Sequence, residues 1–469
     1  MPYLVPALII LVFLLMAALM YMRRLSALLA LPIMAILIAV IGGIPGNEIL
    51  SEVVSKGSVK LHSAYTTTMF GAILAELMNR HGIAKALVRW VAEFAGDNPY
   101  LLSLILTLVT ALLFSTLGGL GAVIMVGTII LPVMLSIGIS NVTAGGLYLF
   151  GISLGGMFNL ANWQLYIDVL GVKQEQIVRF VVPFALLIGI TVLLYLLIEL
   201  KSRKNLKYFI GGVVLSALLA LYLGQSFNPT AVADKTEMMS FSFSISVWVC
   251  LALALYAAFR HARKIKTLPA SAMLTPVVPL FLVLACGWDI MPAFVAAITY
   301  GVLLTWQKDS INQLTRSIID GISTVIPAVF LMIGIGMLIV SVSNPVISGA
   351  IAPLVIGIVP THAVMYVIAF TLMAPLALYR GPLSLWGMGS GLVKLIQNTT
   401  ALSGQAIMGM LMSVGQVQGI CDPTNTHNIW IATYLGTDTH ALLKRTIAYA
   451  WLAVICGLLL ACAFGYVPL

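Results

Sequence analysis

The stretch YLLSLILTLVTALLFSTLGGLGAVIMVGTIILPVMLSIGI, residues 100–139, decides the fold. It is apolar for about twice the ~20 residues that one helix needs to cross a bilayer core. Its middle nevertheless reads Ser115-Thr116-Leu117-Gly118-Gly119-Leu120-Gly121, which is a turn. Two apolar helices joined by a turn at membrane depth predict a re-entrant hairpin that enters and leaves on one side. Backbone exposed at that depth survives only when packed in protein or lining a wet cavity. The same composition runs outward in both directions. Of 469 residues, 61% are hydrophobic and 8% charged, against roughly 25% charged in a soluble domain, and the mean hydropathy is +1.09. These values exclude a soluble enzyme and predict an all-α polytopic membrane protein. The sequence argues against a membrane barrel as well, because runs such as Leu4–Met20 and 187–198 are apolar nearly all round and lack a period of two.

The 24 Lys and Arg against 15 Asp and Glu leave a net charge of +9, and the basic residues form short clusters between the apolar runs. Clusters so placed read as topology signals, not as a nucleic-acid footprint. Putting Arg23 and Arg24 in the cytoplasm makes 44–60 an external loop and the amphipathic segment with Arg80, Lys85 and Arg89 cytoplasmic. It also puts Lys204, Lys264 and Lys444 inside, and Lys56, Lys173, Lys235 and both termini outside, in a cell inner membrane. Asp320 is expected to cap its helix or pair with Arg316. The count closes only if 361–398 is a second hairpin, with its turn at Tyr379-Arg380-Gly381-Pro382-Leu383-Ser384; the alternative at each place is two plain spans and a loop. The first apolar run has no basic residue before it and reads as a retained span. The cysteines, Cys250, Cys286, Cys421, Cys456 and Cys462, lie in or beside apolar segments, which argues against disulfides or a zinc site.

The two halves echo each other. Gly118 to Gly155 spans 37 positions and Gly381 to Gly419 spans 38. Each half then has a polar interruption, Asn159-Leu160-Ala161-Asn162-Trp163 or Cys421-Asp422-Pro423-Thr424-Asn425-Thr426-His427-Asn428. The endings Leu170-Gly171 and Leu435-Gly436 are 265 positions apart. Each half is predicted to hold five spans, a hairpin and a broken helix, an odd number of spans that inserts the second copy upside down. The first repeat is 1–200 (hairpin 100–139, broken helix 143–170). A connecting pair of spans covers 201–266. The second repeat is 267–469 (hairpin 361–398, broken helix 404–436).

Two hairpin tips and two broken helices are expected to converge near the midplane. Broken helices aim N-terminal amides at anions and leave C-terminal carbonyls for cations. The substrate candidates are Ser115, Thr116, Gly118, Asn159 and Asn162 in the first half, with Arg380, Gly381, Ser384, Thr424, Asn425 and Thr426 in the second. The ion-coupling candidates are Asp422, Asn425, Asn159 and His427. The competing reading of the Ser, Thr and Asn residues is interhelical hydrogen bonding. Arg380 is the most informative of them, because a charge at the bilayer centre costs roughly 2.5–3.5 kcal/mol on insertion scales and its planar fork suits a carboxylate. Its alternatives are an internal pair with Asp422 or an external snorkel. Lys394, near the outer end of its hairpin, can snorkel. Trp163, Trp386 and Trp430 flank the interruptions in interfacial or packing roles. Neither a phosphate loop nor an H-E-x-x-H pair is present, which leaves no nucleotide motor and no zinc protease.

Assembled, this layout resembles the ion transporter superfamily of citrate, C4-dicarboxylate, gluconate and divalent-anion symporters. The nearest segments are Gly71-Ala72-Ile73-Leu74-Ala75-Glu76-Leu77-Met78 with Gly82-Ile83-Ala84, the first hairpin, and Asp422-Pro423-Thr424-Asn425-Thr426. The resemblance implies that tips and breaks bind the carboxylate and the coupling ion, and that a transport domain slides past a dimeric scaffold. The Ser-Asn-Thr tip signature of the sodium-coupled branch is absent, so protons stand beside sodium as the coupling ion. The reading is a secondary transporter of a small carboxylate, coupled to H+ or Na+, a non-enzyme without cofactor. Its partners would be the carboxylate, the lipid bilayer and a second copy of itself, with no nucleic acid. The alternatives are a cation/proton antiporter exchanging at Asp422, and an intramembrane enzyme using His427 or His362.

Overall fold

The computed structural model describes residues 4–22, 24–95, 98–200, 205–226, 235–265, 267–381, 383–386 and 389–468. The charge signals Arg23 and Lys204 lie outside them. Among the described residues the longer helices of the first half are α1 (Leu4–Tyr21), α2 (Ala27–Ile41), α3 (His62–Arg80), α4 (Ile83–Ala95), α5 (Pro99–Phe114), α6 (Gly119–Ser136), α7 (Asn141–Met157), α8 (Leu160–Leu170) and α9 (Gln174–Glu199). Helices α10 (Leu206–Ser226) and α11 (Lys235–Ala262) connect to the second half. There the order recurs as α12 (Val278–Ala285), α13 (Ile290–Leu304), α14 (Ser310–Ser343), α15 (Pro345–Ile358), α16 (Ala363–Met373), α17 (Gly389–Thr399), α18 (Gly404–Cys421), α19 (Thr426–Tyr434) and α20 (Thr439–Ala463). No strand occurs among the described residues.

Local chemistry starts these helices at corresponding places. Asn98 accepts from the amides of Tyr100 and Leu101 at 3.0 and 3.1 Å, with Pro99 at the first helical position of α5. Ser140 caps α7 through the Thr143 amide at 3.3 Å, and Ser403 caps α18 through the Ala406 amide at 3.1 Å. Helix α8 ends at Gly171, whose φ of 70° is a left-handed position that suits glycine.

The handedness of the repeat follows from which ends meet. Glu199, at the end of α9, pairs with Arg445 near the start of α20 at 2.8 Å, while the Arg179 guanidinium sits 5.5 Å over the Phe464 ring at the opposite ends. Helices α9 and α20 are therefore antiparallel. The Tyr100 hydroxyl donates to the Leu193 carbonyl at 3.0 Å and the Thr143 hydroxyl to Glu199 at 3.3 Å, so both ends of the α5/α6 hairpin lie at the C-terminal end of α9. The Ala363 amide donates to the Pro468 carbonyl at 2.9 Å and the Ser403 hydroxyl to the Tyr466 carbonyl at 3.1 Å. The ends of the second hairpin thus lie at the C-terminal end of α20. Two hairpins entering from opposite faces make an inverted-topology repeat.

Some expectations change. Only five helices among the described residues are long and apolar enough to cross a bilayer alone: α6, α9, most of α11, α14 and α20. Others stop short at glycine turns, such as Gly43 after α2, with φ 74°. Although α6 is long enough to span, its geometry makes it a hairpin limb. Residues 44–60, expected as an external loop, instead hold a π-helix, Ile49–Lys56, between single helical turns. This segment packs on α14: a Cβ on Gly57 would lie 2.8 Å from the Met337 Cα, and one on Gly336 would lie 2.4 Å from the Gly57 carbonyl oxygen. Asp320 pairs with Arg80 of α3 rather than with Arg316, and Arg80 also holds Glu76 at 2.8 Å.

Candidate functional site

Helices α7 and α8 meet at a bend of 52° around Phe158 and Asn159. The Asn159 side chain does two jobs there. Its oxygen accepts from the Ala161 and Asn162 amides at 3.1 and 3.4 Å, capping α8. Its amide nitrogen donates to the carbonyls of Phe114 and Leu117, both at 3.0 Å, which are the acceptors left free where α5 ends at the hairpin tip. The break expected to extend through Asn162 is shorter: Asn162 is already in the first turn of α8, where its side chain donates to the Gly156 carbonyl at 2.8 Å.

The second break spans 422–425, inside the polar interruption 421–428. Asp422 is fully buried. One carboxylate oxygen accepts from the Tyr379 amide of the second tip at 2.8 Å; the other accepts from the Thr424 amide and hydroxyl at 2.9 and 2.6 Å. Asn425 donates to the Gln418 carbonyl at 2.8 Å, and the His427 ring lies 3.2 Å from the Gly419 carbonyl. Each hairpin tip is thus clasped by a polar side chain from the break of its own half. In the first half an amide meets carbonyls, and in the second a carboxylate meets an amide N–H. The second tip is reached through a 3-10 turn, Ala374–Arg380, in which Tyr379 has φ 58°. A non-glycine residue in that region is strained and persists where its surroundings hold it.

Helices α7 and α18 touch ahead of their breaks, where the Ser153 hydroxyl donates to Gln416 at 2.8 Å. Each half also braces the other's hairpin. A Cβ on Gly127 of α6 would lie 2.6 Å from the Trp430 ring of α19. Lys394 and Gln397 of α17 donate to the Val169 and Leu170 carbonyls at the end of α8, at 3.3 and 2.8 Å. Lys394 is therefore tied into protein. Trp163 donates to the Met157 carbonyl at 2.6 Å and is buried, so its role is packing.

Other candidates stand differently from their sequence reading. The Ser115 and Thr116 hydroxyls turn back onto the Leu112 and Leu113 carbonyls at 2.7 and 3.3 Å. Gly118 is extended, and the left-handed residue of that tip is its neighbour Gly119, with φ 80°. Gly381 is confined, because a Cβ there would lie 2.2 Å from the Leu376 carbonyl oxygen. Ser384 is buried and its hydroxyl has no hydrogen-bond partner among the described residues. Thr426 is exposed at the start of α19. The Arg380 side chain and Pro382 lie outside the described residues. The sequence reading missed Gln416 and Ser153, although an uncharged polar residue between Gly415 and Gly419 in an apolar helix was an available signal. It also missed Thr324, whose methyl faces Gly121 beside the first tip.

Opposed re-entrant hairpins joined to broken helices define a class of polytopic membrane protein, and the chain has the fold of a membrane transporter. It superposes on the crystal structure of the YdaH transporter of Alcanivorax borkumensis, described as having an unusual topology, over 99% of this chain and 100% of that one. The TM-score is 0.51 and the sequence identity 14%, a likeness of fold. No protein-family model matches the chain, and no curated protein matches it in sequence.

Proposed function

We propose that the protein is a secondary active transporter that moves a small organic carboxylate of the citrate or C4-dicarboxylate class across the cell inner membrane, coupled to H+ or Na+. The carrying observation is the pair of clasps: opposed hairpin tips, each held by one polar side chain at the break of a helix. A tip held this way can be released on one face while the other stays closed, which alternating access requires. The resemblance in layout to the ion transporter superfamily supports the carboxylate. On this reading repeats 1–200 and 267–469 share the site, the hairpins and broken helices move as an elevator body, and the protein works as a homodimer with both termini external. Arg380, Gly381, Ser384, Thr424, Asn425, Thr426, Ser115, Thr116, Gly118, Asn159 and Asn162 surround the substrate. Asp422, with Asn425, Asn159 and His427, serves the ion. Because Asn159 already satisfies the two carbonyls of the first tip, the reading leans toward protons carried at Asp422. A fully buried carboxylate also suits the second reading, a cation/proton antiporter.

Proteoliposomes separate the two. Labelled dicarboxylate is expected to accumulate saturably when a proton gradient is imposed. Proton movement driven by a monovalent cation in the absence of carboxylate, without such uptake, would assign the antiporter.

A further inference from the structure

A cleft of about 500 Å³ opens between α4 and α6, lined by Asn79, Gly82, Lys85, Arg89, Met125, Thr128 and Ile129. Helix α4 buries Ile83, Ala84, Leu87 and Val88 against the rest of the protein. That spacing leaves Lys85 and Arg89, one turn apart, exposed on one flank, and both face the cleft. No acidic side chain lines it. Among the described residues neither cation is engaged in an ion pair or a side-chain hydrogen bond. A positive-inside bias accounts for the side of the membrane on which charge sits, but not for two unneutralised cations converging on one cavity. The opposite wall sets Met125 and Ile129 beside the hydroxyl of Thr128 and belongs to a helix that exposes Leu120 and Ile124. Trp90, beside Arg89, is 58% exposed, as aromatic residues at a membrane interface are.

We infer that this cleft binds the anionic phosphodiester headgroup of a phospholipid. Lys85 and the planar fork of Arg89 hold the phosphate oxygens, Asn79 and Thr128 contact the polar headgroup, and Met125 and Ile129 receive the start of the acyl chains. The apolar side chains of Met125 and Ile129, beside exposed Ile124, distinguish an amphiphile from free phosphate, which gains nothing from them. The site is separate from the hairpin clasps and does not depend on what the protein transports.

The test uses the purified full-length chain in detergent, depleted of lipid. Thermal unfolding and native mass spectrometry are read with added phosphatidylglycerol, phosphatidylcholine or inorganic phosphate. Phosphatidylglycerol is expected to stabilise the protein and stay bound, phosphatidylcholine and inorganic phosphate to do neither. Each basic residue near an anionic lipid contributes about fivefold, so Lys85→Gln with Arg89→Gln should weaken phosphatidylglycerol binding roughly 30-fold. If that pair does not purify, Arg89→Gln alone should weaken it about fivefold. Lys444→Gln, which neutralises an exposed charge elsewhere, should bind as the parent does. Equal binding by the cleft variants and the parent overturns the inference, and so does an equal loss in Lys444→Gln. Equal stabilisation by inorganic phosphate alone overturns the lipid and assigns a free anion.

Discussion

Asp422→Asn is the most direct probe of the second clasp, because it keeps the size of the side chain and removes one acceptor. The carboxylate accepts from the Tyr379 amide at 2.8 Å on one side and from the Thr424 amide and hydroxyl at 2.9 and 2.6 Å on the other. An asparagine has one oxygen, and keeping it toward Thr424 preserves two contacts. Its NH2 then faces the Tyr379 N–H, donor against donor. What is lost is the bond between the break and the hairpin tip. A hydrogen bond to a charged group is worth roughly 1.5–3 kcal/mol, so release of the tip should become about 10- to 150-fold more favourable. The strained φ of 58° at Tyr379 acts in the same direction, since that contact helps to hold it. Hydrogen exchange of residues 374–386, read by mass spectrometry, should speed up by a factor in this range while α9 and α20 exchange as before. Protonation of the oxygen facing Tyr379 would break the same bond, so uptake by the variant in proteoliposomes should lose its dependence on a proton gradient. Exchange at the tip equal to that of the parent, together with pH-dependent uptake at the parent rate, would refute both the clasp and the coupling role.

Three further perturbations address the other parts. Asn159→Asp keeps the cap of α8 but turns a carboxylate oxygen toward the Phe114 and Leu117 carbonyls; it should abolish uptake and lower stability by on the order of 1–3 kcal/mol, read as a fall in melting temperature. Gly155→Ala places a Cβ 2.5 Å from the Ala111 carbonyl oxygen and should destabilise by about 1–3 kcal/mol; an unchanged melting temperature would mean that α5 and α7 can separate freely. Arg380→Lys keeps the charge and loses the bidentate fork, so apparent affinity for a dicarboxylate should fall roughly 10- to 150-fold; unchanged affinity would leave Arg380 a structural role.

Much of the architecture is local and therefore legible. Ser115–Gly121 interrupts an apolar run where a helix cannot continue, Tyr379–Ser384 does so again, and the break at Asn159 carries the cap residue that restarts a helix. The repeat order follows from the spacing of those interruptions, since an element's start and stop depend on residues within a few positions of it. The limits of the first break were harder to read. Asn162 looks like part of an interruption in composition, but its amide finds the Gly156 carbonyl across the bend, which lets the helix resume at Leu160.

What the sequence by itself determined, through composition and the spacing of its interruptions, is that this chain lies in a membrane, is helical, and contains two interrupted hairpins and two broken helices in matching order. Only the tertiary structure decided the partners. Asp422 meets the Tyr379 amide 43 positions away, Arg80 meets Asp320 across 240 positions, and residues 44–60 pack on α14 instead of forming a loop. The Ser115 and Thr116 hydroxyls, equally plausible as ligands by type, turn back to their own helix. The physical reason is that a polar group cut off from water is costly without a partner. Residue type states which groups need one, whereas the choice of partner depends on which distant segment packing brings within about 3 Å.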